Sequence, residues 1–153
     1  MGDTRRGIVM AEYIKRHFPR INKIISVADG NLILSNELCH NYTVSVYDPK
    51  IRNRNKFINI HKGLFLANNS ELCDLVVGIH PDGATGEIVD YSIKNRINGI
   101  IVPCCIIGKY ANECNNNWAQ LLANKLKRFF NVEIDLLPIS GKNLAIRYWR
   151  KSL

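Results

Sequence analysis

The sequence predicts a three-layer α/β fold: a mostly parallel sheet, helices on both faces, and a C-terminal antiparallel hairpin. Three observations carry this. Short β-branched runs alternate with segments whose apolar residues recur at helical spacing, the pattern of a parallel sheet with crossover helices. The run Cys73 to Ile79 is apolar almost throughout, as a strand buried on both faces should be. The last apolar runs, Val132 to Leu137 and Leu144 to Trp149, flank Ser140-Gly141-Lys142-Asn143, which is the turn chemistry of a hairpin.

The elements follow in order. Gly7 to Phe18 reads as a helix, with Met10, Tyr13, Ile14, His17 and Phe18 on one face and Glu12, Lys15 and Arg16 on the other. Pro19 ends it. The first strand is Lys23 to Ala28 and stops at Asp29-Gly30, where a turn costs little. Leu32, Leu34, Leu38 and Cys39 give a short amphipathic helix. The second strand, Tyr42 to Tyr47, runs into Asp48-Pro49. A basic connection follows, carrying Lys50, Arg52, Arg54 and Lys56. Phe57 to Ile60 is a short third strand, with a turn at Lys62-Gly63. The apolar run to Ile79 is the fourth strand and meets His80-Pro81-Asp82-Gly83. Asp82 is expected to N-cap a helix over Ala84 to Lys94, with Ile88, Tyr91 and Ile93 inward. Asn98-Gly99 reads as a turn, Ile100 to Val102 as the fifth strand, and Pro103-Cys104-Cys105 as its exit. After a polar loop from Gly108 to Asn117, Trp118, Leu121, Leu122, Lys125, Leu126, Phe129 and Phe130 form a helical stripe. Its aromatic residues are expected in the core.

At 153 residues, one domain over 1–153 is the natural expectation. Hydrophobic residues make up 46%, enough for a sizeable core. No apolar run reaches the ~20 residues needed to span a bilayer. The basic start is not followed by a long apolar stretch, so no secretory leader is expected. Gly2 is not read as a lipidation site, because Arg6 stands where that motif wants Ser or Thr. The five cysteines include no Cys-x-x-Cys pair. An odd count without that spacing suggests reduced thiols and a cytoplasmic location, not a disulfide scaffold or a zinc site. The net charge of +8 favours polyanions or anionic small molecules. No aromatic-interleaved RNA-binding signature and no phosphate-cradling Gly-x-x-x-x-Gly-Lys loop is present.

Ile24 to Pro49 reads as strand, turn, helix, strand, acid. In a doubly wound sheet that turn and that acid share one edge, where the turn can meet a nucleotide-like ligand and Asp48 can take ribose hydroxyls. An ordinary βαβ unit, with Asp48 merely forming a turn before Pro49, is the alternative.

The element order resembles the class I S-adenosylmethionine-dependent methyltransferases, a Rossmann-like family whose sheet ends in an antiparallel hairpin. The likeness covers nearly the whole chain in layout. The family's first motif is an acid followed by glycines at alternate positions. Here Ser26 falls on the acid, and Ala28, Gly30 and Leu32 on the glycines, with Asp29 offering a carboxylate one position out of register. Ala28 and Leu32 are expected to crowd the ligand pocket. The family's acid after the second strand is matched by Asp48, and its Gly-Asp pair after the third by Gly63-Leu64, where the acid is missing. The turn at Val27-Ala28-Asp29-Gly30 is also similar to that of small archaeal and bacterial Rossmann-like proteins. The segment Asp74 to Thr85, with Pro103-Cys104-Cys105, resembles certain RNA methyltransferases that carry a His-containing loop after strand four and a vicinal Cys-Cys after strand five.

The resemblance implies S-adenosylmethionine as cofactor, held by Ala28, Asp29, Gly30, Asp48, Gly63 and Leu64. It implies His80 and Asp82 near the methyl acceptor, a nucleic acid or another anionic molecule as substrate, and a homodimer or partner subunit to complete the site. The alternative is a non-catalytic Rossmann-like module that binds S-adenosylmethionine or a nucleotide and acts through a partner. A third reading gives Cys104 or Cys105 a nucleophilic or redox role, which a depressed thiol pKa would support. Against it stands the ordinary tendency of cysteine to be buried.

Overall fold

The computed structural model describes residues 3–152; Met1, Gly2 and Leu153 lie outside the described residues, and the reading of Gly2 with them. In chain order the elements are α1 (Arg6–His17), β1 (Lys23–Val27), α2 (Ile33–Leu38), β2 (Thr43–Tyr47), β3 (Ile58–His61), β4 (Leu75–Ile79), α3 (Thr85–Asn95), β5 (Asn98–Val102), α4 (Trp118–Lys127), β6 (Phe130–Leu136) and β7 (Leu144–Arg150). Seven strands form one sheet in the order β3-β2-β1-β4-β5-β7-β6. Strands β1 to β5 run parallel, β7 runs antiparallel to β5, and β6 antiparallel to β7.

The register explains why the strands read as continuous apolar runs. Ile24 pairs with Val44 and Leu75, and Ile25 with Ser45 and Val76. Successive side chains point to opposite faces. Ile24, Val44 and Leu75 therefore pack with Met10 and Ile14 of α1 and Leu34 and Leu38 of α2. Ile25 and Val76 pack with Ile88 and Tyr91 of α3 and Leu122 and Leu126 of α4. Ile24 and Ile25 are both fully buried, each worth roughly 1.5–3 kcal/mol relative to exposure. The connections from β2 to β3 and from β3 to β4 carry no helix.

Three expectations are corrected. Helix α4 stops at Lys127, and Phe130 opens β6, paired with Arg150. Its ring is buried and meets Tyr148 edge-on at 5.1 Å, so helix and strand demand the same apolar residue there and periodicity cannot separate them. Asn98-Gly99 lies inside β5; Arg96, in the left-handed region at φ +56°, makes the reversal just before it. Asp82 does not cap α3. It begins a 3-10 turn over Asp82–Ala84, and no side chain caps α3. The carboxylate of Asp82 is committed elsewhere, as described below.

Candidate functional site

A cleft of about 430 Å³ opens at the C-terminal edge of the sheet. It sits between the turns after β1 and β4, where the strand order reverses direction, the usual ligand position in open α/β sheets. Its walls are Ala28 to Asn31, Tyr47 to Lys50, Leu64-Phe65 and His80 to Ala84, with Arg6 and Arg52 at the sides.

The turn after β1 keeps a glycine-type backbone without the glycines. Ala28 and Leu32 have φ of +62° and +57°, a region that costs an L-residue about 1–2 kcal/mol. Gly30 has no positive φ, and its role is space. A Cβ there would stand 2.6 Å from the Lys50 carbonyl oxygen and 3.0 Å from the Asp48 carboxylate. The space left by the missing Cβ is filled by the protein's own loop, and Arg52 N–H donates to the Gly30 carbonyl at 2.8 Å.

Asp29 lies along this wall, but its carboxylate turns away. It accepts from the backbone N–H of Ser35 at 2.8 Å and the Ser35 hydroxyl at 2.6 Å, satisfying the free N–H groups at the start of α2. Burial pushes its carboxyl above the usual carboxylate range despite these bonds. The expectation that Leu32 crowds the pocket is also corrected. Its side chain is 0% exposed and packs in the core beside α1 and α2, because the left-handed backbone turns it inward. Ala28 does line the cleft.

Asp48 lines the cleft, half-buried. One carboxylate oxygen accepts from Lys50 N–H at 2.6 Å, an Asx turn. The turn-forming role and exposure to the cleft are thus both realised in one residue. Leu64 is exposed at the rim, whereas Gly63 is not part of the lining. Phe65, buried beside it, meets Tyr47 at 5.5 Å and Tyr91 at 4.9 Å.

On the opposite wall His80 and Asp82 both adopt left-handed φ, +52° and +49°. The His80 N–H donates to the Val102 carbonyl at 2.8 Å, fastening the turn to β5. Its ring Nε2 lies 2.9 Å from the Lys142 carbonyl in the hairpin turn. A carbonyl only accepts, so Nε2 carries the hydrogen, and in the neutral ring Nδ1 is left as an acceptor. The Asp82 carboxylate accepts the Cys104 thiol at 2.9 Å. Burial, reinforced by that carboxylate, pushes the Cys104 thiol up to about 12. An activated thiol needs the opposite shift, so the nucleophilic reading of Cys104 has no support.

Arg6, Tyr47 and Phe65 border the cleft without having been singled out from the sequence as its lining. Arg6 could not have been. It arrives because α1 packs on α2 at Gly7, where a Cβ would meet the Ile33 carbonyl at 2.5 Å, and no spacing records that approach.

No family model matches the chain, and no curated protein is similar to it in sequence. Solved structures are similar to it in fold. The 23S rRNA methyltransferase ErmE aligns with a TM-score of 0.64 at 16% identity, over 96% of this chain and 68% of that one. The precorrin-6y C5,15-methyltransferase of Geobacter metallireducens aligns at 0.61 and 16% identity, over 95% and 86%. The magnesium protoporphyrin IX methyltransferase ChlM of Synechocystis PCC 6803, solved with S-adenosylmethionine bound, aligns at 0.70 and 11% identity, over 97% and 79%. The chain has the Rossmann-like fold of the class I S-adenosylmethionine-dependent methyltransferases.

Proposed function

We propose that the protein is an S-adenosylmethionine-dependent methyltransferase acting on RNA or another anionic substrate. The observation that carries this reading is one cleft at the strand-order switch holding complementary groups for each part of that cofactor. Asp48 suits a ribose diol, which a carboxylate binds through both hydroxyls. Phe65 and Leu64 offer an apolar wall to a purine, and Arg6 offers a cation to the amino-acid carboxylate. The volume of about 430 Å³ falls in the ~300–1,000 Å³ range of small-molecule sites.

When bound, the cofactor supplies an electrophilic sulfonium methyl. The protein's own contribution is mostly alignment, which needs few catalytic side chains. His80 and Asp82 would stand at the acceptor side. With Nε2–H held by the Lys142 carbonyl, Nδ1 of His80 is available to take the acceptor's proton. Lys50 and Arg52 border the cleft, and Arg52 also borders an adjoining groove of about 640 Å³ with Arg54, Lys56 and Lys62. A polyanion lying in that groove would run to the cleft mouth, in keeping with the net charge of +8. The likeness to ErmE, named for 23S rRNA, agrees with an RNA substrate, and a second copy or another chain would complete the acceptor side.

A second reading, a module that binds S-adenosylmethionine or a nucleotide without catalysis, draws on the Asp29 carboxylate and the Gly30 gap, both committed to the protein's own structure. Calorimetry with S-adenosylmethionine and S-adenosylhomocysteine, beside Asp48→Ala, tests both. Micromolar binding that the variant loses, followed by transfer of labelled methyl to RNA, is the expected result. Binding without transfer to any RNA favours the module, and no binding at millimolar ligand to folded protein sinks methyl transfer.

A further inference from the structure

We propose that Asp82, Cys104 and Cys105 form a binding site for one soft divalent cation of the zinc class, at the lip of the cleft. Their ligand atoms all lie within 4.8 Å of one another. Zinc–sulfur bonds of ~2.3 Å in tetrahedral geometry need sulfurs about 3.8 Å apart, so the set closes on an ion with small side-chain movements. Two thiolates and a carboxylate match the ligand preference of zinc and its heavier congeners. Three protein ligands leave a fourth position for water or a substrate atom, the form of a reactive site and not of a closed structural one. The sequence hides this set. The cysteines are adjacent, without Cys-x-x-Cys spacing, and the third ligand stands 22 residues earlier, after a different strand.

The two loops that carry the ligands are locked together by contacts independent of the thiols. Gly108, at φ +80°, presses on Gly83: a Cβ there would stand 2.8 Å from the Gly83 carbonyl oxygen. At Gly86 a Cβ would stand 2.8 Å from the Lys109 carbonyl oxygen. Lys109 then bridges Glu87 at 2.7 Å and Asp90 at 2.9 Å, and the Tyr110 hydroxyl donates to Asp90 at 2.5 Å. The loop after β5 is thereby clamped to the start of α3, the segment that follows Asp82. Asp82 itself holds a left-handed backbone, a kind of outlier that collects at ligand sites. In the metal-free protein the Cys104 S–H points at the Asp82 carboxylate, so a proton occupies the edge that the cation would bridge. Binding exchanges the two thiol protons, released to solvent, for the ion. The site does not depend on the methyltransferase reading.

The test is titration of the reduced, metal-free 153-residue chain with Cd²⁺, read by sulfur-to-metal charge-transfer absorbance, and with Zn²⁺ in competition with a chromophoric chelator. One ion per chain is expected. Cys105 is exposed, so Cys105→Ser leaves the fold intact and should weaken binding by more than the ~10–100-fold that loss of an outer-shell partner costs. Asp82→Asn should weaken it at least tenfold. A Cys39→Ser/Cys114→Ser double variant should bind as wild type. Absence of the charge-transfer band, or wild-type binding by both Cys105→Ser and Asp82→Asn, overturns the proposal.

Discussion

The carbonyl oxygen of Lys50 lies 2.6 Å from where a Cβ on Gly30 would stand. The turn after β1 and the loop after β2 therefore meet backbone to backbone, and Asp48 is positioned by that contact. Gly30→Ala should force them apart and cost about 1–3 kcal/mol, as overpacking does. On the proposed function it should also weaken S-adenosylmethionine binding through displacement of Asp48. Urea unfolding and calorimetry check the two effects; an unchanged unfolding midpoint would mean the loop yields freely.

Ala28 and Leu32 share a left-handed backbone but not a fate on substitution. Ala28→Gly relieves conformational strain of about 1–2 kcal/mol at a glycine entropy cost of roughly 0.5–1 kcal/mol, and should slightly raise the melting temperature. Leu32→Gly removes a fully buried side chain and should cost about 2–5 kcal/mol. If both variants are destabilised alike, backbone strain is not what Ala28 carries.

Tyr148 is buried, and its hydroxyl lies 2.7 Å from the Ser92 hydroxyl. Tyr148→Phe should cost about 1–3 kcal/mol by leaving Ser92 unpaired. Gly99→Ala should cost about 3 kcal/mol, because its Cβ would stand on the Tyr148 ring, a rigid neighbour enclosed by core. Denaturant melts of the two variants test this pair.

Asp74 and Asp29, at opposite ends of β1, titrate in opposite senses. Backbone N–H groups of Lys23 at 2.9 Å and Asn22 at 2.8 Å hold Asp74 below its usual 3.8. Its contribution is present above 3.8 and is lost as pH falls through the folded value. Burial raises Asp29 above 3.8, so its contribution is complete below that pH and is lost as pH rises through the folded value. Relative to wild type, Asp74→Asn should be destabilised at neutral pH and converge with it in acid. Asp29→Asn should fare better at neutral pH than in acid. Parallel pH profiles for the two variants would contradict this.

Arg52 stands where cleft and basic groove join. On the proposed reading of an RNA substrate, Arg52→Gln should weaken RNA binding across sequences and reduce the salt slope by about 1, as loss of a phosphate contact does. Filter binding across a salt series reads both; an unchanged slope would mean that RNA does not cross this junction.

The sequence alone determined the layer order. The β-branched runs from Ile24 and Leu75, the turn at Asp29-Gly30 and the Gly141 hairpin are local signals, and each element formed within a few residues of where they place it. It also determined that Gly30 and Asp48 meet at one edge, because strand–helix–strand connectivity fixes where those turns fall. Only the tertiary structure decided which way side chains point once the turns are packed. Leu32 goes to the core, Asp29 to the start of α2, and Asp82 to Cys104 instead of the α3 cap. It alone brought Arg6 to the cleft and Phe130 into a strand. Each of these outcomes depends on a contact with a segment outside the local pattern, such as Ile33 against Gly7 or Cys104 against Asp82. Periodicity reports which residues share a face of one element; it carries no record of what stands opposite.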